Sequence, residues 1–343
     1  MYNLLMTLAH RRIILYSFIL IFILIIPPII AYSFGYNFDW QTKSFIKTGI
    51  FNVKSYPSNA NILIDNKLYK KTPNFIKGLK PKVYNLKVTK AGYSTWSKDL
   101  QINPAKITES VNILLLAQEP IIKVVKQNLT PSFKIEDYFY TTSTINYLVN
   151  DSNQILYQVN PQNNQQSQIS VQPLLETGDY KIITSKNKSS IAVLSESHTL
   201  YLFDTESKSF NKITNNALNA EFSTDNRKIL YYTKNELWVM WLTKTEIQPY
   251  KESGDYELIT RFGEPITKAV WSTVDNEHIF FVIGNTIKMV ELDGRSNRNI
   301  NDFLKISGNN AQLYFNNGSL YFTENNILKS TIIKNLFLQQ ILN

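Results

Sequence analysis

The chain has 343 residues, no cysteine and a net charge of +9. The lack of cysteine excludes disulfide bonds, thiolate metal sites and cysteine nucleophiles. No two of the three histidines, His10, His198 and His278, are close in sequence, so we expect no histidine metal site. Glycine is scarce, with 11 residues, and we expect asparagine to take over part of the turn positions.

An uncharged, apolar segment lies near the N-terminus. No charged residue occurs between Arg12 and Asp39, and Ile13–Ala31 is almost continuously apolar. Because about 20 apolar residues at about 1.5 Å rise each span a bilayer, the segment predicts a transmembrane helix at 13–35. A cleaved signal peptide is the competing interpretation. The run is longer than the apolar core of a signal peptide, and no small-x-small cleavage site follows it.

Charge predicts the orientation of this helix. Residues 1–12 carry Arg11 and Arg12 and no acid, and the first helix usually follows its N-terminal positive flank. We therefore expect a single-pass protein of the cell membrane, with a cytoplasmic N-terminus at 1–12 and extracytoplasmic domains beyond the helix. The aromatic residues between Tyr32 and Trp40 suit the headgroup level of the membrane.

The positive charge is concentrated in one part of the chain. Residues 40–118 hold 13 lysines, no arginine and three acids, whereas residues 119–343 hold 21 basic and 23 acidic residues. This difference predicts a domain boundary near Pro120, with domains at 40–118 and 119–343. The lysines could bind anionic lipid headgroups or an anionic cell-wall polymer, or they could simply form a solvated face. We expect no nucleic-acid partner, because no aromatic-basic motif accompanies the lysines.

The first of these two segments reads as a small all-β module. Apolar residues alternate along Gly49–Ser55, Ala60–Ile64 and Val83–Thr89, which is the period of half-buried strands. Turn residues at Asp65-Asn66 and Ala91-Gly92 separate the strands. The pattern predicts a β-sandwich.

Residues 47–116, approximately, resemble a PEGA domain, a family named after a Pro-Glu-Gly-Ala turn. The residues that carry the resemblance are Pro57-Ser58-Asn59-Ala60 at that turn, Ile64, Asp65 and Lys67 at a hairpin, Thr72-Pro73, Gly92-Tyr93 and Trp96. Asn59 tolerates a positive φ, so we expect the turn to form without glycine. The segment PPIIAYSFGYNFD before the domain is similar to that of bacterial membrane-anchored PEGA proteins. The resemblance implies an extracytoplasmic β-sandwich that binds a surface or cell-envelope component and whose motif residues serve the fold.

The distal segment contains repeats of strands and polar turns. The first apolar strands of four copies start at Ile191, Ile229, Ile279 and Leu320, and Ile145–Asn160 is a weaker fifth copy. In addition, ETGDYKIIT from Glu176 is echoed by ESGDYELIT from Glu252. Periods of about 40 residues with several strands each are typical of propeller blades. The repeats predict a β-propeller-like domain of five to six blades and leave open whether 119–125 completes the last one.

Two turns in these repeats carry a second resemblance. The segments 222–226 and 271–276, FSTDN and WSTVDN, resemble the W-S-P-D-G turn of TolB-like and WD-type β-propellers. We interpret Asp225 and Asp275 as turn formers rather than catalytic residues, because short carboxylates bond turn N–H groups. The predicted fold class is all-β after one N-terminal transmembrane helix.

The sequence shows little that points to catalysis. It contains no glycine-rich phosphate loop and no G-x-S-x-G motif. The carboxylate pairs Glu136-Asp137 and Asp255 with Glu257 could hydrolyse a glycoside, but such pairs are expected by chance among 27 acids. We predict no catalytic, cofactor-binding or metal-binding residues and no cofactor.

The predicted function is that of a non-enzymatic, membrane-anchored binding or scaffold protein of the cell envelope. The basic domain would face the wall or the headgroups, and the propeller would present a surface to a protein or glycan partner. Two alternatives remain open: a glycan-active enzyme that uses the central face of the propeller, and a sensor subunit. The sensor would need a partner, because residues 1–12 are too short for an output domain.

Overall fold

The computed structural model describes residues 8–139, 146–308 and 310–334. The chain divides into two compact units. The first unit comprises Met1–Val88 and Ser97–Ile113, and the second comprises Thr89–Trp96 and Leu114–Asn343. The predicted limits of the domains, at 40–118 and 119–343, stay a prediction.

The first element of the described residues is a long apolar helix, α1 (Leu8–Ser33), in which no residue is buried. The helix is long and apolar enough to cross a membrane, and it suggests a membrane anchor or a signal sequence. It continues through Pro27 and Pro28, which the predicted span also included. A two-stranded hairpin follows, made of β1 (Tyr36–Asp39) and β2 (Ser44–Lys47).

The next seven strands form two sheets, with orders β6-β3-β9 and β5-β4-β7-β8. The strands are β3 (Gly49–Tyr56), β4 (Asn61–Ile64), β5 (Lys67–Lys71), β6 (Asn74–Leu79), β7 (Val83–Thr89), β8 (Trp96–Gln101) and β9 (Ile107–Leu114). Alternate side chains such as Phe51, Ile62 and Leu86 are fully buried between the sheets, as the period of two predicted. The predicted β-sandwich is confirmed.

The turn expected at 57–60 forms around a left-handed asparagine. Asn59 has a φ of 61°, and its N–H donates to the carbonyl of Thr72 at 2.8 Å. The Thr72 hydroxyl in turn accepts from the N–H of Ala60 at 3.1 Å. The motif residue Thr72 therefore fixes this turn from the neighbouring strand. Asp65 and Asn66 both have positive φ, as a two-residue hairpin loop requires.

The second unit contains five antiparallel sheets in the part of the chain that is described. Its strands are β10 (Ile122–Lys126), β11 (Asn146–Val149), β12 (Leu156–Val159), β13 (Gln166–Gln168), β14 (Tyr180–Thr184), β15 (Ile191–Ser195), β16 (Leu200–Asp204), β17 (Ser209–Thr214), β18 (Asn219–Phe222), β19 (Lys228–Tyr232), β20 (Glu236–Trp241), β21 (Tyr256–Arg261), β22 (Ile266–Trp271), β23 (His278–Ile283), β24 (Thr286–Glu291), β25 (Ile300–Lys305), β26 (Leu313–Asn316), β27 (Ser319–Glu324) and β28 (Ile327–Ile332). Three sheets take four consecutive strands each, and β11-β12-β13 forms a shorter one. The last sheet has the order β10-β28-β27-β26, so the segment at 122–126 does complete the last blade. The predicted propeller-like fold is confirmed.

The four aligned starts fall on equivalent strands. Ile191, Ile229, Ile279 and Leu320 belong to β15, β19, β23 and β27, the second strand of each four-stranded sheet. All four are buried. The echo between ETGDYKIIT and ESGDYELIT does not mark equivalent positions, however. The first string enters β14, which is a first strand, whereas the second enters β21, which is a fourth strand.

The turns after the first strands also join neighbouring blades. Asn226 and Asn276 have φ values of 60° and 57°. The side-chain carbonyl of Asn276 accepts from both the N–H and the hydroxyl of Thr224 in the preceding blade, each at 2.9 Å. Asp225 accepts the N–H of Arg227 at 3.1 Å, which is the turn-forming contact that we expected of it.

Candidate functional sites

Most of the lysines in residues 40–118 reach the surface. Ten of the 13 are exposed, namely Lys43, Lys47, Lys54, Lys67, Lys70, Lys71, Lys77, Lys80, Lys82 and Lys106. Few acids offset them. Asp65 is bonded to Lys82 at 2.9 Å, and Asp99 accepts from the side chain of Asn85 at 2.7 Å. The surface of this segment is therefore strongly cationic.

The densest group of these lysines lies on strand β5, which we call the β5 edge (residues 67–71). All five residues are exposed, because β5 is the outermost strand of its sheet. Lys67, Lys70 and Lys71 flank Leu68, whose side chain is 66% exposed. Charge on an edge strand prevents edge-to-edge pairing, and these exposed lysines also offer positive charge to an anionic partner.

The hairpin after helix α1 presents aromatic side chains. The rings of Phe38 and Trp40 meet edge-to-face with centroids 4.9 Å apart, and Phe38 packs on Phe45 at 5.2 Å. All three are exposed. Lys80 donates to Asp39 at 2.7 Å, and this bond lowers the pKa of the Asp39 carboxyl. The ion pair thus ties the hairpin to the sandwich.

A second candidate site lies in the propeller-like domain, in a group that we call the central cluster (Glu136, Lys181, Glu221 and Lys268). Lys181, Glu221 and Lys268 lie on β14, β18 and β22, the first strands of three consecutive blades. The first strands of propeller blades surround the central channel. A register shift at Ile266–Lys268 re-aims the Lys268 side chain, as β-bulges do.

The fourth member of the cluster comes from a short helix, α2 (Ile135–Phe139). The side chain of Gln312 holds this helix, since it accepts the N–H of Ile135 and donates to the carbonyl of Phe133, both at 2.7 Å. Phe139 stacks on Tyr314 of strand β26 at 4.6 Å. These contacts place Glu136 2.7 Å from the ammonium of Lys268.

The cluster perturbs the pKa values of its members. Burial raises the pKa of the Glu221 carboxyl to about 7, and the charge of Lys268 offsets only part of this rise. Partial desolvation and the like charge of Lys268 lower the pKa of the Lys181 ammonium. Burial alone would raise the pKa of Glu136, but the ion pair with Lys268 lowers it overall. Two carboxyls in one cluster thus have opposite shifts.

The carboxylate pairs singled out from the sequence are not brought together as catalytic pairs. Asp137 is exposed, and unlike its neighbour Glu136 it is not a member of the central cluster. Asp255 accepts the N–H of Glu252 at 2.9 Å, and Glu257 is paired with Lys251 at 2.7 Å. The Asp255 contact closes a turn, whereas Glu257 also binds Arg298 of the segment between β24 and β25.

The two histidines of the distal segment have different surroundings. His198 sits at a hairpin with a φ of 68°. His278 is only 1% exposed, and its Nδ1 lies 2.8 Å from the carboxylate of Asp275. Burial opposes the charged imidazole, but Asp275 outweighs it and raises the pKa of His278. The Asp275 carboxylate therefore binds a buried side chain as well as its own turn.

Sequence reasoning missed Lys181, Glu221 and Lys268. A weak signal was available, because Glu221 alternates with the buried Ala220 and Phe222 in a short apolar strand. A charged residue in such a strand needs a partner. Which partner it meets depends on the packing of blades that are distant in sequence.

Comparison with known proteins identifies the first domain. Residues 48–117 match the PEGA domain family. The predicted resemblance at about 47–116 is confirmed, and PEGA domains are extracytoplasmic. The bacterial origin that we expected remains a prediction. No curated protein matches the chain.

Solved structures that resemble the chain include β-propellers. The Cps50 (Swd1) β-propeller domain of Myceliophteria thermophila covers 58% of this chain and 68% of its own at 8% identity, with a TM-score of 0.40. YCF48 from Cyanidioschyzon merolae covers 82% and 98% at 11% identity, with a TM-score of 0.41. A gluconolactonase from Xanthomonas campestris, XC5397, covers 52% and 65% at 9% identity, with a TM-score of 0.35. At these identities no function is carried over.

The prediction that the chain is not an enzyme is wrong. It rested on the lack of a contiguous motif, yet a gluconolactonase is among the solved structures that the chain resembles.

The PEGA domain and the propeller-like fold together suggest an extracellular or binding role. The β5 edge lies within the matched PEGA residues, and the central cluster lies outside them. The chain therefore has two separate candidate surfaces, which different substitutions can test.

Proposed function

We propose that this chain is a membrane-anchored binding protein of the cell envelope, in which the PEGA domain contacts an anionic surface and the propeller-like domain presents loops to a protein or glycan partner. The observation that carries the proposal is the lysine-rich surface of the PEGA domain, above all Lys67, Lys70 and Lys71 on the β5 edge. The shared chemistry of the partner is a dense array of phosphate or carboxylate groups, as in lipid headgroups or a wall polymer.

The contribution of the β5 edge to the affinity for an anionic surface can be bounded. A lysine beside an anionic surface contributes about 1 kcal/mol, and the attraction falls off within a Debye length of about 8 to 10 Å. Three lysines of the β5 edge therefore contribute about 3 kcal/mol, or roughly a hundredfold in affinity at low salt. If the lysines serve only to prevent strand pairing at the sheet edge, no such binding is expected, because that role requires no ligand.

The test uses the full chain in nanodiscs and the variant in which Lys67, Lys70 and Lys71 are replaced by Gln. In neutral nanodiscs, co-sedimentation with cell-wall sacculi measures polymer binding. In anionic nanodiscs without sacculi, hydrogen exchange of the β5 edge measures headgroup binding. We expect the wild type to bind in one arm at low salt and to be released at high salt, and the variant to lose that binding.

The matched control replaces three exposed lysines of the propeller-like domain, Lys123, Lys186 and Lys212, by Gln. It removes the same charge from the chain but leaves the β5 edge intact. An equal loss of binding in the two triple variants would mean that only the net charge matters. Binding that does not depend on the salt concentration would contradict an electrostatic contact.

A further inference from the structure

The central cluster contains a lysine that no carboxylate binds directly. Lys268 is paired with Glu136, whereas Lys181 donates to the side-chain carbonyl of Asn219 at 2.9 Å and forms no salt bridge within the described residues. Glu136 and Glu221 act on the Lys181 ammonium only from beyond salt-bridge distance. The Lys181 side chain is exposed, so a ligand from solvent can reach it. Lys134, close enough to influence Lys181, adds further positive charge.

Glu221 completes the surroundings of this cation. The titratable groups that act on its carboxyl are Lys268 from β22, Glu136 from α2, Lys181 from β14 and Tyr232 from β19. The indole Nε1 of Trp271 donates to the backbone carbonyl of Glu221 at 3.0 Å, which fixes this residue beside β22. With its pKa raised to about 7, the carboxyl is a hydrogen-bond donor in part of the molecules at neutral pH.

We propose that the central cluster binds an anionic group of a ligand, a carboxylate or a phosphate, which pairs with the Lys181 ammonium and accepts a hydrogen bond from Glu221. The charge balance favours an anion over a cation, because Lys134, Lys181 and Lys268 outnumber the two glutamates of the cluster and Glu136 is already held by Lys268. A donor carboxyl beside the ammonium supplies a second contact to the same oxyanion. Deprotonation of Glu221 would remove that donor and place a negative charge beside the ligand.

The probes are acetate and inorganic phosphate, added to the full chain in neutral nanodiscs. Saturation-transfer NMR reports acetate, and broadening of the phosphorus resonance reports phosphate. Phosphate titrates near neutral pH itself, so only acetate can test the pH dependence. We expect acetate binding to weaken about tenfold from about pH 6 to about pH 8, as the protonated fraction of Glu221 falls.

Four variants separate the contributions of Lys181 and Glu221 to binding. Lys181→Met should lose binding of both probes, whereas Lys186→Met, a substitution of an exposed lysine just after β14, should bind as the wild type does. Glu221→Gln keeps a donor without charge, so it should bind acetate equally at both pH values. Lys181→Arg keeps the charge and should retain binding. This result would show that Lys181→Met loses binding because of the lost charge and not because of misfolding.

Each outcome of the binding experiment either supports or contradicts the proposed anion site. Binding of acetate alone or phosphate alone by the wild type, lost in Lys181→Met, supports the site and identifies its ligand group. No binding of either probe, equal binding by Lys181→Met and the wild type, or an unchanged pH dependence in Glu221→Gln would overturn the proposal. The β5-edge variant should bind acetate normally, so a failure here is distinct from a failure of the proposed envelope contact.

Discussion

Asparagine occupies more of the left-handed backbone positions among the described non-glycine residues than any other residue type. This residue costs less than most in that conformation, because its short polar side chain bonds locally. Asn59, Asn226 and Asn276 show three uses of one property: a sandwich turn, a blade turn and a blade turn that also reaches the neighbouring blade. The scarcity of glycine made this role predictable, whereas the link between blades was not.

The double contact of Asn276 predicts a loss of stability on substitution. Asn276→Gly keeps the backbone conformation but leaves both donors of Thr224 without their acceptor, at about 0.5–1.5 kcal/mol for each bond. Asn276→Ala loses the same bonds and adds about 1–2 kcal/mol for its left-handed backbone. Chemical unfolding of the full chain should rank wild type, Gly and Ala in decreasing stability. Asn325→Gly, an exposed turn residue, is the control, and a stable Asn276→Gly would contradict the link.

Glu176 predicts a change of stability in acid. Its carboxylate accepts from the hydroxyls of Ser197, Thr199 and Tyr201, of which Thr199 lies at 2.7 Å and Tyr201 at 3.2 Å. The hydroxyl of Ser197 first, then that of Thr199, lowers the pKa of Glu176 to about 2. Because the folded pKa lies below the ordinary 4.5, the contribution is present above pH 4.5 and is lost as the pH falls to about 2.

Glu176→Gln should therefore lower the free energy of unfolding near neutral pH and converge with the wild type near pH 2. Measuring unfolding of both proteins across this pH range tests the prediction. Glu196→Gln serves as the control, since it changes an exposed carboxylate on the hairpin that carries Ser197 and Thr199. A Glu176→Gln difference that stays constant with pH would show that lost packing, rather than charge, accounts for it.

At the scale of elements, local pattern predicted strands and turns but not their partners. The period of two and the turn residues are set by neighbours in sequence, so the sandwich strands and the four blade starts were predictable. The pairing of β10 with β28 joins segments at opposite ends of the domain, and local pattern contains nothing about such a partner. The echo at Glu176 and Glu252 misled for the same reason, since similar strings can precede different strands of a blade.

The position of β10 predicts a split response to proline. In a strand, the N–H groups of neighbouring residues point to opposite sides, so only one of Lys123 and Val124 can donate to β28. Of Lys123→Pro and Val124→Pro, one should cost about 1–3 kcal/mol by removing a ladder bond, and the other should be tolerated on the outer edge. Thermal unfolding of both variants tests this, and equal tolerance would show that β10 does not hold the last blade.

At the scale of the whole chain, composition predicted one candidate surface and could not predict the other. The lysines of the PEGA domain are visible as a count, because most residues of a small domain reach its surface. The central cluster depends on Glu136 meeting Lys268, which is 132 residues away. Neither residue is unusual in its own segment, so the site exists only in the folded blades.

The orientation of the chain in the membrane is the last prediction, and the lack of native cysteine makes it directly measurable. Gln162→Cys places a thiol on an exposed turn of the propeller-like domain, and Ala9→Cys places one before the apolar run. If the N-terminus is cytoplasmic, as the positive flank predicts, an impermeant maleimide should label Gln162→Cys in intact cells and Ala9→Cys only after permeabilisation. The reverse pattern would show that the domains face the cytoplasm, and it would contradict the proposed contact with the cell envelope. If α1 is instead a cleaved signal, the Ala9→Cys thiol would be absent from the mature protein under both conditions, and the PEGA domain would need its lysines alone to stay at the surface.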